Sequence, residues 1–112
     1  MLSITNQTIS LVRYTRGMKF KLIRSPNPKK KWRGVFTDDE GKETHTDFGD
    51  ATMRDYTQHG NPLRRARYLA RHRANENWND PQTAGALSRW ILWETPNLQT
   101  NVRRFRQRFR LA

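Results

Sequence analysis

The segment from Glu76 to Pro96, ENWNDPQTAGALSRWILWETP, holds three of the chain's four tryptophans and lies between two arginine-rich stretches. Within it AGALSRWILWE reads as a helix. Thr83 caps it, and it ends ahead of Pro96 because a residue preceding proline avoids the α region. On a helical wheel Leu87 and Trp90 share one side, while Leu92 and Trp93 lie well round from them. A short helix that is apolar on most of its circumference is expected to be buried. The rest of the chain must therefore pack around it.

What packs around it is read from two periodicities. KFKLIRS (Lys19 to Ser25) alternates charged and apolar residues, the mark of a half-buried strand, and Pro26 and Pro28 stop it. KKWRGVF and ETHTDFG flank TDDEGK, which predicts a hairpin whose acidic turn contains Gly41. Trp32, Val35, Phe36 and Phe48 are its expected buried side chains. In GNPLRRARYLARHRAN, Asn61 is the expected N-cap and Pro62 the first helical residue. Leu63, Ala66, Leu69, Ala70 and Ala74 form its apolar stripe, and Arg64, Arg67 and Arg71 line the solvent side. Thr95 is expected to cap a last helix with Pro96 in its first turn. Leu98, Val102, Phe105 and Phe109 recur there at spacings of four, three and four. The rest of that surface is arginine, which makes a basic amphipathic helix.

The predicted fold is α+β: a small β-hairpin or three-stranded antiparallel sheet, then about three α-helices, with extended basic termini. Residues 1–18 form an arm, residues 19–96 a compact domain, and residues 97–112 the basic C-terminal helix. Trp32, Phe36, Trp78, Leu87, Trp90, Ile91 and Trp93 are the expected structural core, and Trp90→Ala is expected to threaten folding. A hydrophobic fraction of 34% with 29% charged residues is low for a folded domain, but twelve aromatics argue for a packed centre. No apolar run reaches the roughly 20 residues of a membrane span, and no signal-like apolar stretch opens the chain.

The net charge of +12 is distributed unevenly. Residues 1–30, 61–75 and 101–112 contain Lys/Arg and no acid, while residues 31–60 and 76–100 are mildly acidic. From residue 61 onward there are eleven arginines and no lysine. Arginine's planar fork pairs bidentately with carboxylate or phosphate and tolerates an interface. Arg13, Arg16, Arg64, Arg67, Arg71, Arg103, Arg104, Arg106, Arg108 and Arg110 are the expected partner-contacting residues. Their bland alternative is a set of solvated helix faces.

Little in the sequence suggests catalysis. Without cysteine there is no disulfide, thiolate ligand or cysteine nucleophile. His45, His59 and His72 have no metal-like spacing, though His59 and His72 could meet in space. The DDE at residues 38–40 falls in the hairpin turn, where it is solvated. DYTQHG (Asp55 to Gly60) reads as a loop-ordering cluster rather than a binding one. No phosphate loop or nucleophile motif is present. The chain is expected not to be an enzyme, to need no cofactor or metal, and to take no small-molecule substrate.

Four clusters stand out between Trp32 and Pro96: DYT-H (Asp55, Tyr56, Thr57, His59), R--YL-RH (Arg65, Tyr68, Leu69, Arg71, His72), ENW (Glu76, Asn77, Trp78) and TAG--SRW-LW (Thr83 to Trp93). On these residues the chain resembles a small uncharacterised family of nucleocytoplasmic large DNA viruses, including those of algae and amoebae. The resemblance implies a viral setting and a compact α+β fold, and it implies no activity. The expectation is then a virion structural protein, a minor capsid or cement component on the inner side of the shell. It would be made in the host cell during assembly. Its partners would be major and other minor capsid proteins and an anionic membrane surface. The alternative is sequence-independent DNA binding in genome packaging or condensation, with Trp32 and the terminal phenylalanines stacking on single strands.

Overall fold

The computed structural model describes residues 17–112. The N-terminal arm, with Arg13 and Arg16, lies outside the described residues except for its last two positions. Three strands, β1 (Lys19–Arg24), β2 (Lys30–Thr37) and β3 (Glu43–Asp50), form an antiparallel sheet in the order β1-β2-β3. The register sets Phe20 opposite Phe36, Leu22 opposite Gly34 and Trp32 opposite Phe48, so all six share one face of the sheet. Phe20, Phe36 and Phe48 are buried there. On the opposite face Arg33 and Asp47 are cross-strand partners, joined at 2.7 and 3.1 Å. The Arg33 guanidinium holds the Asp47 carboxyl below its ordinary range. The acidic turn is built as its residue types predict: the Asp38 carboxylate accepts from the backbone N–H of Glu40 and Lys42.

Four helices follow. The DYTQHG stretch, expected from sequence to order a loop, contains a one-turn helix, α1 (Tyr56–His59), with a complete capping box from Asp55 and Gln58. α2 (Pro62–His72) has Asn61 as its cap, accepting from Leu63 and Arg64 N–H at 3.0 and 3.2 Å. α3 (Ala84–Leu87) is capped by Thr83 and runs directly into a π-helical turn, Ser88–Leu92. α4 (Leu98–Phe109) ends at Arg110, which adopts φ +54° as its C-cap.

The expected helix over residues 84–94 is therefore not a continuous α-helix. Trp93 N–H donates to Ser88 O at 3.1 Å, an i→i−5 bond. The wider turn changes the helical phase within a segment whose large side chains do not form one stripe. Leu87, Ile91, Leu92 and Trp93 are all buried in this segment. The sheet makes room for this segment at Gly34, where a Cβ would stand 3.0 Å from the Phe20 ring and 3.3 Å from Leu87.

α4 belongs to this same core and is not a separate appendage. Phe105 is buried and meets the Phe20 ring at 4.8 Å, while Leu98, Val102 and Phe109 pack around it. The chain end is tied down too. Ala112 N–H donates to Met18 O, and Phe20 N–H donates to Ala112 O, both at 2.8 Å. The cap of α4 is Asn97 and not Thr95, because Thr95 is engaged elsewhere: its N–H and hydroxyl both donate to Asn101 Oδ1.

Candidate functional site

α2 is rotated from its expected setting. Tyr68 is its buried residue, with Arg65, Leu69 and His72 half-buried beside it, while Ala66, Ala70 and Ala74 are exposed and Leu63 is 59% exposed. The alanine stripe offers little area. A tyrosine ring buries far more, and Tyr68 stacks on Trp93 with centroids 4.1 Å apart and planes at 4°. Arg65 follows it inward, donating to Trp93 O at 2.7 Å and to Glu94 at 3.2 Å. Its aliphatic stem suits that half-buried place.

Ring contacts run His59, Trp93, Tyr68, His72, so each histidine meets a different ring. His72 Nδ1 lies 3.2 Å from Glu76. Burial, then the charge of Arg64, lowers the His59 pKa. Its Nδ1 accepts from Asn61 N–H at 2.9 Å, which places the proton of the neutral ring on Nε2. Burial pushes the Tyr68 phenol up to about 12. Among the described residues, no group of three or more His, Cys, Asp or Glu is placed to hold a metal ion.

Beside the ring stack lies a cavity of about 300 Å³ between the Lys30–Asp50 end of the sheet, α2 and the α3–π segment. One wall is a fixed clip. Lys31 Nζ donates to Asp55 at 2.7 Å, to Gln58 at 2.6 Å and to Met53 O, tying β2 to α1. Asp55, Tyr68, Arg71, His72 and Glu76 all reach this cavity. They come from three of the clusters conspicuous in the sequence.

The remaining expected core and contact residues divide by what they touch. Phe36, Leu87, Ile91 and Trp93 are buried, whereas Trp32, Trp78 and Trp90 are half-buried. Arg24, opposite Trp32 in the register, lies 4.9 Å from its ring. Trp90 donates through Nε1 to Trp78 O at 2.8 Å, with the guanidinium of Arg108 at 3.6 Å from its ring and that of Arg89 at 4.2 Å. Arg89 also donates to Glu94 at 3.0 Å. Arg106 turns inward to donate to Phe20 O at 2.9 Å. Arg64, Arg67, Arg71, Arg103, Arg104 and Arg110 are exposed and have no carboxylate partner among the described residues. Sequence reasoning missed the inward arginines, Arg65 and Arg89. Both bond Glu94, a partner that only the tertiary structure brings to Arg65.

Residues 20–72, from the first strand through α2, are similar to a family of unknown function (DUF5754). No curated protein and no solved structure matches the chain.

Proposed function

We propose that this protein is a non-enzymatic docking component of a large DNA virus particle, a minor capsid or cement protein that joins capsid subunits. Among the described residues, seven exposed arginines of α2, α4 and the α4 C-cap (Arg64, Arg67, Arg71, Arg103, Arg104, Arg108 and Arg110) have no carboxylate partner, and they support the reading. Glu94, the acid nearest these helices, is taken by the inward-facing Arg65 and Arg89. An exposed ion pair contributes only about 0–1 kcal/mol. Useful affinity therefore needs several contacts made together, which two arginine-bearing helices on one rigid body supply. The viral setting comes from the sequence resemblance. Acidic capsid surface and the inner membrane are the matching partners, each base near anionic lipid contributing about 1 kcal/mol.

Sequence-independent DNA binding is the second reading, favoured by the arginine-only composition of these exposed faces. Two features weigh against its single-strand form. Phe105 is buried in the core, and Trp32 is half-buried beneath Arg24, so neither is an open platform for a base.

The test is mass spectrometry of purified particles, gently disrupted and separated into shell, membrane and DNA-containing fractions. Stoichiometric recovery with the shell supports the connector. Recovery with DNA, released by moderate salt, overturns it in favour of the second reading. In the connector reading, replacing Arg103, Arg104 and Arg110 with serine leaves the circular dichroism spectrum unchanged and abolishes shell association.

A further inference from the structure

We infer that the cavity between the sheet and α2 is a binding site for a phosphate monoester carried on a small apolar or flat body. Its size, about 300 Å³, suits a ligand no larger than a mononucleotide. Leu92, Trp93 and Tyr68 give it apolar lining. Two glycines shape it. Gly49 has φ +82°, and a Cβ there would stand 2.9 Å from Leu92. At Gly85 a Cβ would fall 1.6 Å from Glu76 Oε2, so the Glu76 carboxylate rests directly on the backbone of that residue.

The chemistry of the lining selects an anion. Each of its three carboxylates is already engaged. Asp55 accepts from Lys31 and from Thr57 N–H, at 2.7 and 2.9 Å. Asp50 accepts from the N–H and hydroxyl of Thr52, at 2.9 and 2.7 Å. Glu76 is paired with His72. The Lys31 ammonium has three acceptors and no donor to spare. The remaining cations are not used up in this way. Among the described residues Arg71 has no carboxylate partner, and Arg54 spends one nitrogen on Gln58 O at 3.1 Å. The cavity lining therefore includes two arginines with spare guanidinium donors beside its apolar residues, and such forks match phosphate oxygens in pairs. The π turn adds an independent pointer, since Ser88 and Leu92, its two ends, both line the cavity and π segments are frequent at functional sites.

The assignment shares Arg71 with the docking reading, and Arg103, Arg104 and Arg110, which do not line the cavity, separate the two. The experiment titrates the full chain, labelled with ¹⁵N, with adenosine 5′-monophosphate, inorganic phosphate or adenosine at physiological salt. The nucleotide should shift the Gly49 and Gly85 amides and the Trp93 indole saturably, inorganic phosphate should act more weakly, and adenosine should have no effect. Arg71→Ala should weaken nucleotide binding about tenfold, the loss of one charge-assisted hydrogen bond. Arg103→Ala, with the same change of charge, should leave it unaltered. Equal weakening by both variants, shifts spread evenly over the arginine faces, or no shift at millimolar nucleotide would each overturn the assignment. Vesicles of phosphatidic acid in phosphatidylcholine separate two sources of the same group. Displacement of the nucleotide marks a lipid head group as the ligand, and failure to displace it marks a soluble phosphate. Either result supports the site.

Discussion

Asn101 is the residue whose removal tests the packing of α4 most directly. It is fully buried, and all four of its hydrogen-bonding positions are filled. Nδ2 donates to Ile91 O and to Thr95 O, both at 2.8 Å. Oδ1 accepts from Thr95 N–H at 3.1 Å and from the Thr95 hydroxyl at 2.6 Å. Asn101→Ala removes the partner of Ile91 O, Thr95 O and Thr95 N–H at once, while the Thr95 hydroxyl keeps Asn97 O at 3.3 Å. Thr95 is half-buried, so most of its groups can recover water, but Ile91 O is attached to a residue with no exposed surface. Leaving Ile91 O and one Thr95 group unpaired, at about 1–3 kcal/mol each, gives a loss of about 2–6 kcal/mol. That is a large part of a typical domain's stability of about 5–15 kcal/mol. At about 4 °C per kcal/mol the melting midpoint should fall by about 8–24 °C. Asn101→Asp keeps the shape but turns a carboxyl toward two carbonyl oxygens, which raises its folded pKa above the unfolded value of about 3.9. A group with a raised folded pKa lends its stability below the unfolded pKa and loses it as pH rises through the folded one. The Asp variant should therefore lie closer to wild type at pH 4 than at pH 7. Thermal melts followed by tryptophan fluorescence decide the matter. An Ala variant melting within about 2 °C of wild type would refute the reasoning, as would an Asp variant with the same deficit at both pH values.

Two other perturbations discriminate between parts of the core. Trp93→Ala should cost about 3–5 kcal/mol in urea unfolding, as expected for a buried ring stacked on Tyr68. Trp90→Ala removes a half-buried ring that packs on the edge of the core, donates to Trp78 O and lies against Arg89 and Arg108, and should cost about 1–2 kcal/mol; the reverse order would show that the sequence-based choice of Trp90 as anchor was the better one. In an ultraviolet titration at alkaline pH, one of the three tyrosines should ionise near 12, and Tyr68→Phe should remove that step. Because burial raises this pKa, the stability gained from the neutral phenol is complete below pH about 10 and declines as pH rises toward 12.

Features that depend on neighbouring residues were legible in the chain. The alternation of KFKLIR, the Asp38 turn, the Asn61 and Thr83 caps and the proline stops all act within a few residues, so their physics is contained in the local sequence. The burial of Leu87, Ile91, Leu92 and Trp93 was legible for the same reason, since a helix apolar on most of its circumference has little solvent face to present. The cavity was only half legible. Its residues belong to conspicuous clusters, but nothing in the sequence brings Asp55, Arg71 and Glu76 to one space.

Which arginines are exposed was equally undetermined by the chain. Arg65 and Arg64 are adjacent and chemically identical, yet one bonds Trp93 O and the other faces water. What separates them is the 100° rotation between neighbours on a helix whose buried side was chosen by Tyr68 finding Trp93. Likewise Thr95 and Asn97 are both competent N-caps, and Thr95 loses that role only because docking of α4 brings Asn101 to it. The sequence by itself determined the strands, the turn, two caps and the central apolar segment. The side of α2 that is buried, the inclusion of α4 in the core and the cavity were decided by tertiary structure, because each depends on contacts between residues far apart in the chain whose energies outweigh local preference.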